Sequence, residues 1–555
     1  MKKHLLLFVV ILFVVLIFSL PLFLSAVNGT GPAFSGVHTF VNAADSFFQL
    51  EVVHQGANSV SWLAENPYST EGPAVQRFLI FYTLMGKLAR WTGLNWLWIY
   101  QLNRILWAAL FICILFWFIG LFGFRNKTRI YLLLLVLFSG GLGAAIWPEG
   151  NLFLSLYNPP HVSFSLCLIL IVMGCFKEGT KENSEFGIRN SELDSIKSIP
   201  QSAFRIPHSN NTRHSSLVTH HSIALLVASV SLFILGWVHP YDVFALDIIL
   251  AAACVYLWYR TRENRIFTGL AILLAAGLLP LVFHFYWSYA HFTGHNFVID
   301  DYAVPFYSLP AFLGLNFIVV MLLGFWNRIT GRDACATVQE RTDSLFKDYW
   351  FLWIWLIVGL AMLFVPFYFR RKLFLGVPIA INLLAGIYII NIFQKPGDKI
   401  WLKRIMPVFV AGYLVLASWG NVGIVSADMR GMLGKQFPYF IAGEKMAAFR
   451  YLKEGTTLCH PDNGMLIPVY SGQKVYAANW LWTSDLGRKK TMIKKFFLRD
   501  TCDCWRREFL KSNNIDYLYY GQWERNLGGF NPDGAGYLKK VFDNGAVRVY
   551  SIPKK

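Results

Sequence analysis

The sequence predicts a mainly α-helical protein, a polytopic bundle of membrane helices followed by a small extracytoplasmic α/β domain. Three observations carry that prediction. The 555 residues are 55% hydrophobic and 17% aromatic, with a mean hydropathy of +0.44, which is too apolar for a soluble chain of this length. Apolar runs recur along residues 1–425 at lengths that suit a hydrocarbon core of roughly 30 Å. Lys and Arg gather in alternate loops between those runs, the asymmetry that membrane insertion imposes.

The first run, residues 5–24, follows Lys2 and Lys3. A cleaved signal peptide is the rival reading, with Ser25-Ala26-Val27 as a weak cleavage site. Its length and the many runs that follow favour a retained helix with the N-terminus in the cytoplasm. Further runs lie at 97–124, 130–146, 162–175, 218–237, 243–259, 266–285, 311–326, 350–369, 373–393 and 405–425, giving about 11 spans. In the first outer loop, residues 25–95, the segment 78–88 places apolar side chains at helical spacing and ends on Lys87 and Arg90. That pattern predicts a helix lying in the membrane interface.

Loop charges set the topology. With the N-terminus inside, the cytoplasmic loops hold Arg125, Lys127 and Arg129; the polar stretch Lys177–Arg213; Arg260, Arg262 and Arg265; Arg328 and Arg332; and Lys395, Lys399, Lys403 and Arg404. Outer loops at 147–160, 239–242 and 286–310 contain neither Lys nor Arg. The formal net charge of +18 therefore reflects loops and anionic membrane lipids, and no nucleic-acid partner is expected. Arg370, Arg371 and Lys372 break the rule by falling outside between the ninth and tenth runs. Either the phosphate of a lipid carrier compensates them at the interface, or a miscounted span returns them to the cytoplasm.

The outer loops collect acids, histidines, Asn and Pro. Glu149 and Asn151 follow Trp147; His161 follows Tyr157-Asn158-Pro159-Pro160; His239-Pro240-Tyr241-Asp242 links the fifth and sixth runs; Asp300-Asp301 lies in the next outer loop. Taken singly, His239-Pro240 is an ordinary turn and Asp242 a helix cap. Their convergence on one face, close to hydrocarbon, marks a site. The stretch 41–72 adds Asp45, Glu51, His54, Glu65 and Glu71. If 45–53 is helical, Asp45 and Glu51 share roughly one face.

Residues 177–221 are rich in Ser, Asn, Glu and Lys and lack hydrophobic periodicity, which reads as a flexible cytoplasmic insertion. No GxxxxGK[ST], HExxH, paired CxxC or GxSxG motif occurs, which sets aside ATP-driven transport, zinc proteolysis and the usual serine hydrolases. The His and acid spacings form no recognisable ligand set, so no metal and no cofactor are expected. Cys113, Cys167, Cys175 and Cys254 lie in apolar runs as small hydrophobes. Cys459, Cys502 and Cys504 lie in the outer domain, where a pairing of Cys459 with either of the others is open.

Residues 426–555 read as the small α/β domain, extracytoplasmic by parity. Helix is expected at 440–452, 489–498 and 504–511, and strand at 465–470, 474–478, 515–520 and 546–552. The basic run 488–495 is either a surface for anionic lipid or glycan or simply a solvated face.

AADSFFQLEVVHQG followed by ENPYSTEG, then WPEGNLFLSLYNPPHVSFSL, WVHPYD and FYFRRKLFLGVPIAI, resemble multi-pass membrane glycosyltransferases of the GT-C type, of the Rgt-like and protein-mannosyltransferase-like (family 39-like) groups. The similarity covers most of residues 1–425, and residues 426–555 resemble the extracytoplasmic tail of some members. The insertion 177–221 and a single Asp45, where mannosyltransferases carry paired Asp-Glu, are departures. The resemblance implies sugar transfer from a polyprenyl-phosphate carrier to a glycan, lipid or protein acceptor at the outer face of the cell membrane. Asp45 is then the general base, Glu149 orients the acceptor or shares the proton, and Arg370, Arg371 and Lys372 face the carrier phosphate. Glu51, His161, His239 and Asp242 are substrate contacts. A secondary transporter or flippase, favoured by Asp247 inside the sixth run, and a non-catalytic glycan-assembly subunit are the competing classes.

Overall fold

The structure is a computed structural model that describes residues 2–27, 32–70, 76–77, 79–140, 148–196, 211–292, 309–330, 336–366, 370–393, 400–479 and 482–553. In chain order the helices of the apolar part are α1 (Lys2–Val27), α2 (Ala43–Asn58), α3 (Ile80–Thr92), α4 (Trp96–Gly120), α5 (Asn126–Phe138), α6 (Leu152–Tyr157), α7 (Pro160–Ile196), α8 (Asn211–Val238), α9 (Pro240–Thr261), α10 (Arg265–Phe292), α11 (Leu309–Thr330), α12 (Ala336–Met362), α13 (Val377–Phe393) and α14 (Ile400–Leu433). Every predicted run coincides with one of them. Among the described residues, six helices are long and apolar enough to cross a membrane, and Leu5–Leu20, Ser222–Val238, Leu309–Leu322 and Asp348–Met362 are shorter apolar helices. Each of the about 11 expected runs thus carries a helix, and among the described residues six of these helices are of full spanning length. The third run differs most, because α5 is 13 residues long, short of the ~20 that a crossing needs.

Helix α7 continues to Ile196 and α8 begins at Asn211, so helix extends from both sides into the stretch expected to be irregular. Residues 197–210, Asp300 and Asp301 lie outside the described residues. The chain divides into two compact units. The first comprises Met1–Leu16, Leu106–Tyr286 and Ile299–Ile424, and the second Ile17–Ile105, Trp287–Val298 and Val425–Lys555.

In the first unit, the early end of α5 has a local cause. The chain leaves the helix at Ser139, and Gly140 donates its N–H to the Ala417 carbonyl of α14 at 2.9 Å. A side chain on residue 140 would meet Asn421 Oδ1 at 2.5 Å, so only glycine permits the approach. Asn421 Nδ2 donates to the Phe138 carbonyl at 2.7 Å, and Asn151 Nδ2 to Asn421 Oδ1 at 2.8 Å. Beside it, Asn316 Nδ2 donates to Ser139 Oγ and to Asn382 Oδ1, both at 2.7 Å, and Tyr413 donates to Asn316. Apolar surroundings offer no water, so polar groups at helix breaks must be satisfied by neighbouring helices.

The second unit adds strands β1 (Ala33–Phe34), β2 (Ala64–Glu65), β3 (Gln76–Arg77), β4 (Phe440–Ile441), β5 (Thr456–Leu458), β6 (Lys474–Val475), β7 (Tyr517–Tyr520), β8 (Lys539–Asp543) and β9 (Arg548–Ser551). Its helices beyond α14 are α15 (Gly443–Tyr451), α16 (Pro461–Ser471), α17 (Leu486–Phe497), α18 (Asp503–Ser512) and α19 (Gln522–Arg525). The five-stranded sheet has the order β6-β5-β7-β9-β8, with β5 parallel to β6 and β7, and β9 antiparallel to β7 and β8. The described residues of 25–95, the segment expected to be the first outer loop, belong to this unit. β1 pairs with β4, Tyr470 OH donates to the Ser35 carbonyl at 2.6 Å, and Asn66 Nδ2 to the Trp482 carbonyl at 2.8 Å.

Helices α2 and α3 touch backbone to backbone. A Cβ on Gly86 would lie 2.2 Å from the Val53 carbonyl oxygen, and one on Gly56 2.6 Å from that of Thr83. The predicted amphipathic helix is therefore present, with Tyr82, Met85 and Ala89 buried. On α2, Leu50, Val52 and Val53 are fully buried, each contributing roughly 1.5–3 kcal/mol.

The strand expected at 465–470 is helical. Pro461 opens α16 and Gly472, at φ +73°, closes it, start and stop signals that outweigh an apolar run which periodicity alone does not assign. Strand β5 was not anticipated. Cys502 and Cys504 are disulfide-bonded to each other and Cys459 is free and buried, which settles the open pairing against Cys459.

Candidate functional site

Four segments of the first unit deliver polar side chains to one place. Glu149 stands on a 3-10 turn (Pro148–Gly150) before α6. His161 follows Pro160 at the start of α7. His239 is the N-cap residue of α9, with Pro240 at the first helical position and Asp242 in the first turn. Proline there removes an N–H that the helix start leaves unused. Lys372 begins the 3-10 turn Lys372–Phe374.

The geometry ties these residues together. His239 Nδ1 lies 2.9 Å from Asp242 Oδ2, an ion-pair separation without hydrogen-bond alignment. The rings of His161 and His239 are 5.7 Å apart. Lys372 Nζ stands 5.1 Å from the centre of the Tyr241 ring, which His239 meets edge-on at 5.5 Å. Asp242 is in electrostatic range of Glu149 and Lys372, and His161 of His239 and Lys372.

Asp242 and His239 are only 2% and 8% exposed. Burying a carboxylate with unused acceptor capacity costs free energy, so such groups mark ligand sites or paired charges. Asn158 repeats the pattern, being buried with neither amide atom hydrogen-bonded among the described residues. The cluster can donate to an anionic oxygen from Lys372 and the imidazoles, and accept from a hydroxyl at Asp242 or Glu149. Asp242 does not cap α9; it faces the preceding turn instead.

Arg370 and Arg371 occupy the turn immediately before Lys372, and Lys372 reaches Tyr241. Tyr241 was not singled out from sequence, although it stands between two residues that were. Its position on the first turn of α9 was the available signal.

In the second unit, Asp45 lies exposed in the first turn of α2. Ser46 bonds to Tyr100, whose OH donates to Gln49 Oε1 at 2.8 Å. The Tyr82 and Tyr100 rings stack at 6.4 Å. Burial, then Tyr100, then the Asp45 charge hold the Tyr82 hydroxyl well above its usual range, so it remains a neutral donor. Glu51 departs from the expectation. It is completely buried and accepts from Gln55 Nε2, which also donates to the Glu65 carbonyl at 2.8 Å. Positions six apart on an α-helix face about 120° apart, so Asp45 and Glu51 do not share a face.

The helical architecture with a small C-terminal sheet is that of the GT-C fold. No protein-family model and no curated protein matches the sequence. Solved structures do match in fold. The Archaeoglobus fulgidus oligosaccharyltransferase in its apo form is similar at TM-score 0.52 and 10% identity, covering 99% of this chain and 74% of that chain. Arabinofuranosyltransferase AftD from Mycobacteria is similar at TM-score 0.51 and 12% identity, over 98% of this chain and 40% of that chain.

Proposed function

We propose that the chain is an integral-membrane glycosyltransferase that moves a sugar from a polyprenyl-phosphate carrier to an acceptor hydroxyl at the extracytoplasmic face. The observation that carries this reading is the convergence of Glu149, His161, His239, Asp242 and Lys372 from four separate segments of a GT-C fold. Two of the structures similar in fold are, by name, an oligosaccharyltransferase and an arabinofuranosyltransferase, which agrees with it. Residues 1–425 are the membrane domain and residues 426–555 the outer domain, with the N-terminus cytoplasmic.

The reaction is a direct displacement. The acceptor oxygen forms a bond to the anomeric carbon, the bond to the carrier phosphate breaks, and the phosphate departs with the electron pair. Asp45 takes the acceptor proton from its exposed position in the first turn of α2. Lys372, with Arg370 and Arg371 on the same turn, stabilises the departing phosphate. Glu149 orients the acceptor, and His161, His239 and Asp242 bind sugar or phosphate oxygens. Glu51 acts through Gln55, fixing α2 against β2.

One observation favours transport instead. Asp247, on α9 inside a candidate span, has a buried oxygen with no hydrogen-bond partner among the described residues, as residues on ion paths do. The deciding experiment supplies a labelled polyprenyl-phosphate sugar to membranes containing the full chain. Label should appear covalently in the acceptor, and Asp45→Asn and Glu149→Gln should reduce it. Translocation of the intact lipid-linked sugar without covalent transfer would support the transporter.

A further inference from the structure

The sheet of the second unit reverses its strand order at β5. The chain leaves β5 through α16 to β6 on one side, and returns through α17 and α18 to β7 on the other side of β5. Because β5 and β7 are parallel, the segments after their C-terminal ends, Cys459–Asn463 and Gly521–Glu524 in number, diverge from a common edge. Ligands of open α/β sheets bind at this kind of switch point, outside the strand C-termini.

The residues at that edge are not those of a closed core. Glu524 is fully buried and its Oε1 accepts from the His460 N–H at 2.7 Å and from Asn463 Nδ2 at 2.8 Å. Its Oε2 accepts from the Gly521 N–H at 2.9 Å, so it locks the two diverging segments together. Around this clamp, the Lys445 ammonium lies 3.5 Å from the centre of the Trp523 ring, and the His460 ring packs beside Trp523 at 5.8 Å. The Asp462 side chain is 65% exposed.

Apolar surface accompanies these polar groups. Phe437 is 52% exposed, meets Trp523 edge-on at 5.9 Å and stacks on Phe47 at 6.0 Å. Phe47 is two residues from Asp45 on α2, so two ring-to-ring steps run from the helix of the candidate base to the sheet edge. Aromatic faces flanked by a few convergent side-chain donors and acceptors of both signs suit a neutral polyhydroxylated ligand better than an anion, which Asp462 and Glu524 would repel.

We propose that this edge, with Phe437 and Trp523 as platform and Lys445, His460 and Asp462 as hydrogen-bonding groups, is a subsite for a neutral glycan acceptor. The proposal rests on the transferase reading for the identity of the glycan as acceptor. The test is binding without transfer. Full-length protein in lipid nanodiscs is titrated with fluorescent maltohexaose, cellohexaose and mannohexaose, with no lipid-linked sugar present.

At least one neutral hexaose should bind saturably. Phe437→Ser and Asp462→Ala, both at exposed positions, should each weaken it tenfold or more, while Arg488→Ala on the exposed face of α17 should bind as the parent does. The proposal is overturned if none of the hexaoses saturates the parent protein, or if Phe437→Ser and Asp462→Ala bind unchanged. It is likewise overturned if an acidic oligogalacturonate binds more tightly than every neutral chain. Since no donor is present, a protein that binds hexaose but transfers nothing contradicts the transferase reading alone. One that transfers sugar but fails this titration contradicts the subsite alone.

Discussion

The head of α9 and the head of α2 both present an Asp in a first helical turn, yet their environments are opposite. Asp242 is buried, faces a histidine from the preceding turn and lies near two other charged side chains from separate segments, Glu149 and Lys372. Asp45 is exposed, on a helix whose other acid, Glu51, is already committed to Gln55. A buried, mutually balanced set is suited to holding a charged ligand, because its geometry is fixed before the ligand arrives. An exposed carboxylate is suited to taking a proton. Under the proposed transferase reading, this difference suits the Asp242 cluster to binding and Asp45 to proton transfer.

The largest expected effect breaks the proton-transfer half. Asp45→Asn should lower the turnover rate by roughly 10² to 10⁴, as for other positioned acid–base groups, with donor KM little changed. Equal losses in Asp45→Asn and Glu51→Gln, with α2 intact by circular dichroism, would erase the contrast between the two acids. The binding half is sharpened by Lys372→Ala and Asp242→Asn. Loss of a hydrogen bond to a charged group is worth about 1.5–3 kcal/mol, so donor KM should rise by roughly 10- to 100-fold. Radiolabelled donor titrations in membranes would show it, and a fall in turnover at unchanged KM would place these residues in the wrong role.

Two smaller effects concern what holds the second unit in shape. Gly86→Ala drives a Cβ into the backbone of α2 and should destabilise by about 1–3 kcal/mol, read as a lower thermal midpoint with reduced transfer. Removing the Cys502–Cys504 bridge as a double Ser variant should cost less, under about 2 kcal/mol, because the loop it closes is very short. Transfer at low temperature should be unaffected. A larger cost for the bridge than for Gly86→Ala would mean that α18, not the α2–α3 contact, governs the unit.

Much of this was legible in the sequence, for identifiable reasons. Long apolar runs announce their helices whatever surrounds them, and each predicted run carries one. The polar residues of the first unit were visible because charges beside hydrocarbon are conspicuous, and His239-Pro240-Tyr241-Asp242 does begin a helix, with His239 rather than Asp242 at the cap position. The failures are long-range or local. The grouping of the first outer loop with the C-terminal sheet depends on contacts such as Tyr470 to Ser35, 435 residues apart, which no local pattern encodes. The Glu51 side chain was misplaced by counting along the helix without its 3.6-residue period. β5 is three residues long, too short for any alternation to register.

The central claim, that proton transfer belongs to Asp45 and donor binding to the cluster around Asp242, is tested most directly by one kinetic comparison. Turnover rate and donor KM are measured for Asp45→Asn and Asp242→Asn in the same membranes, with labelled polyprenyl-phosphate sugar. The account predicts a loss of turnover with near-parental KM in the first variant and a raised KM in the second. Full turnover by Asp45→Asn at normal expression would contradict it.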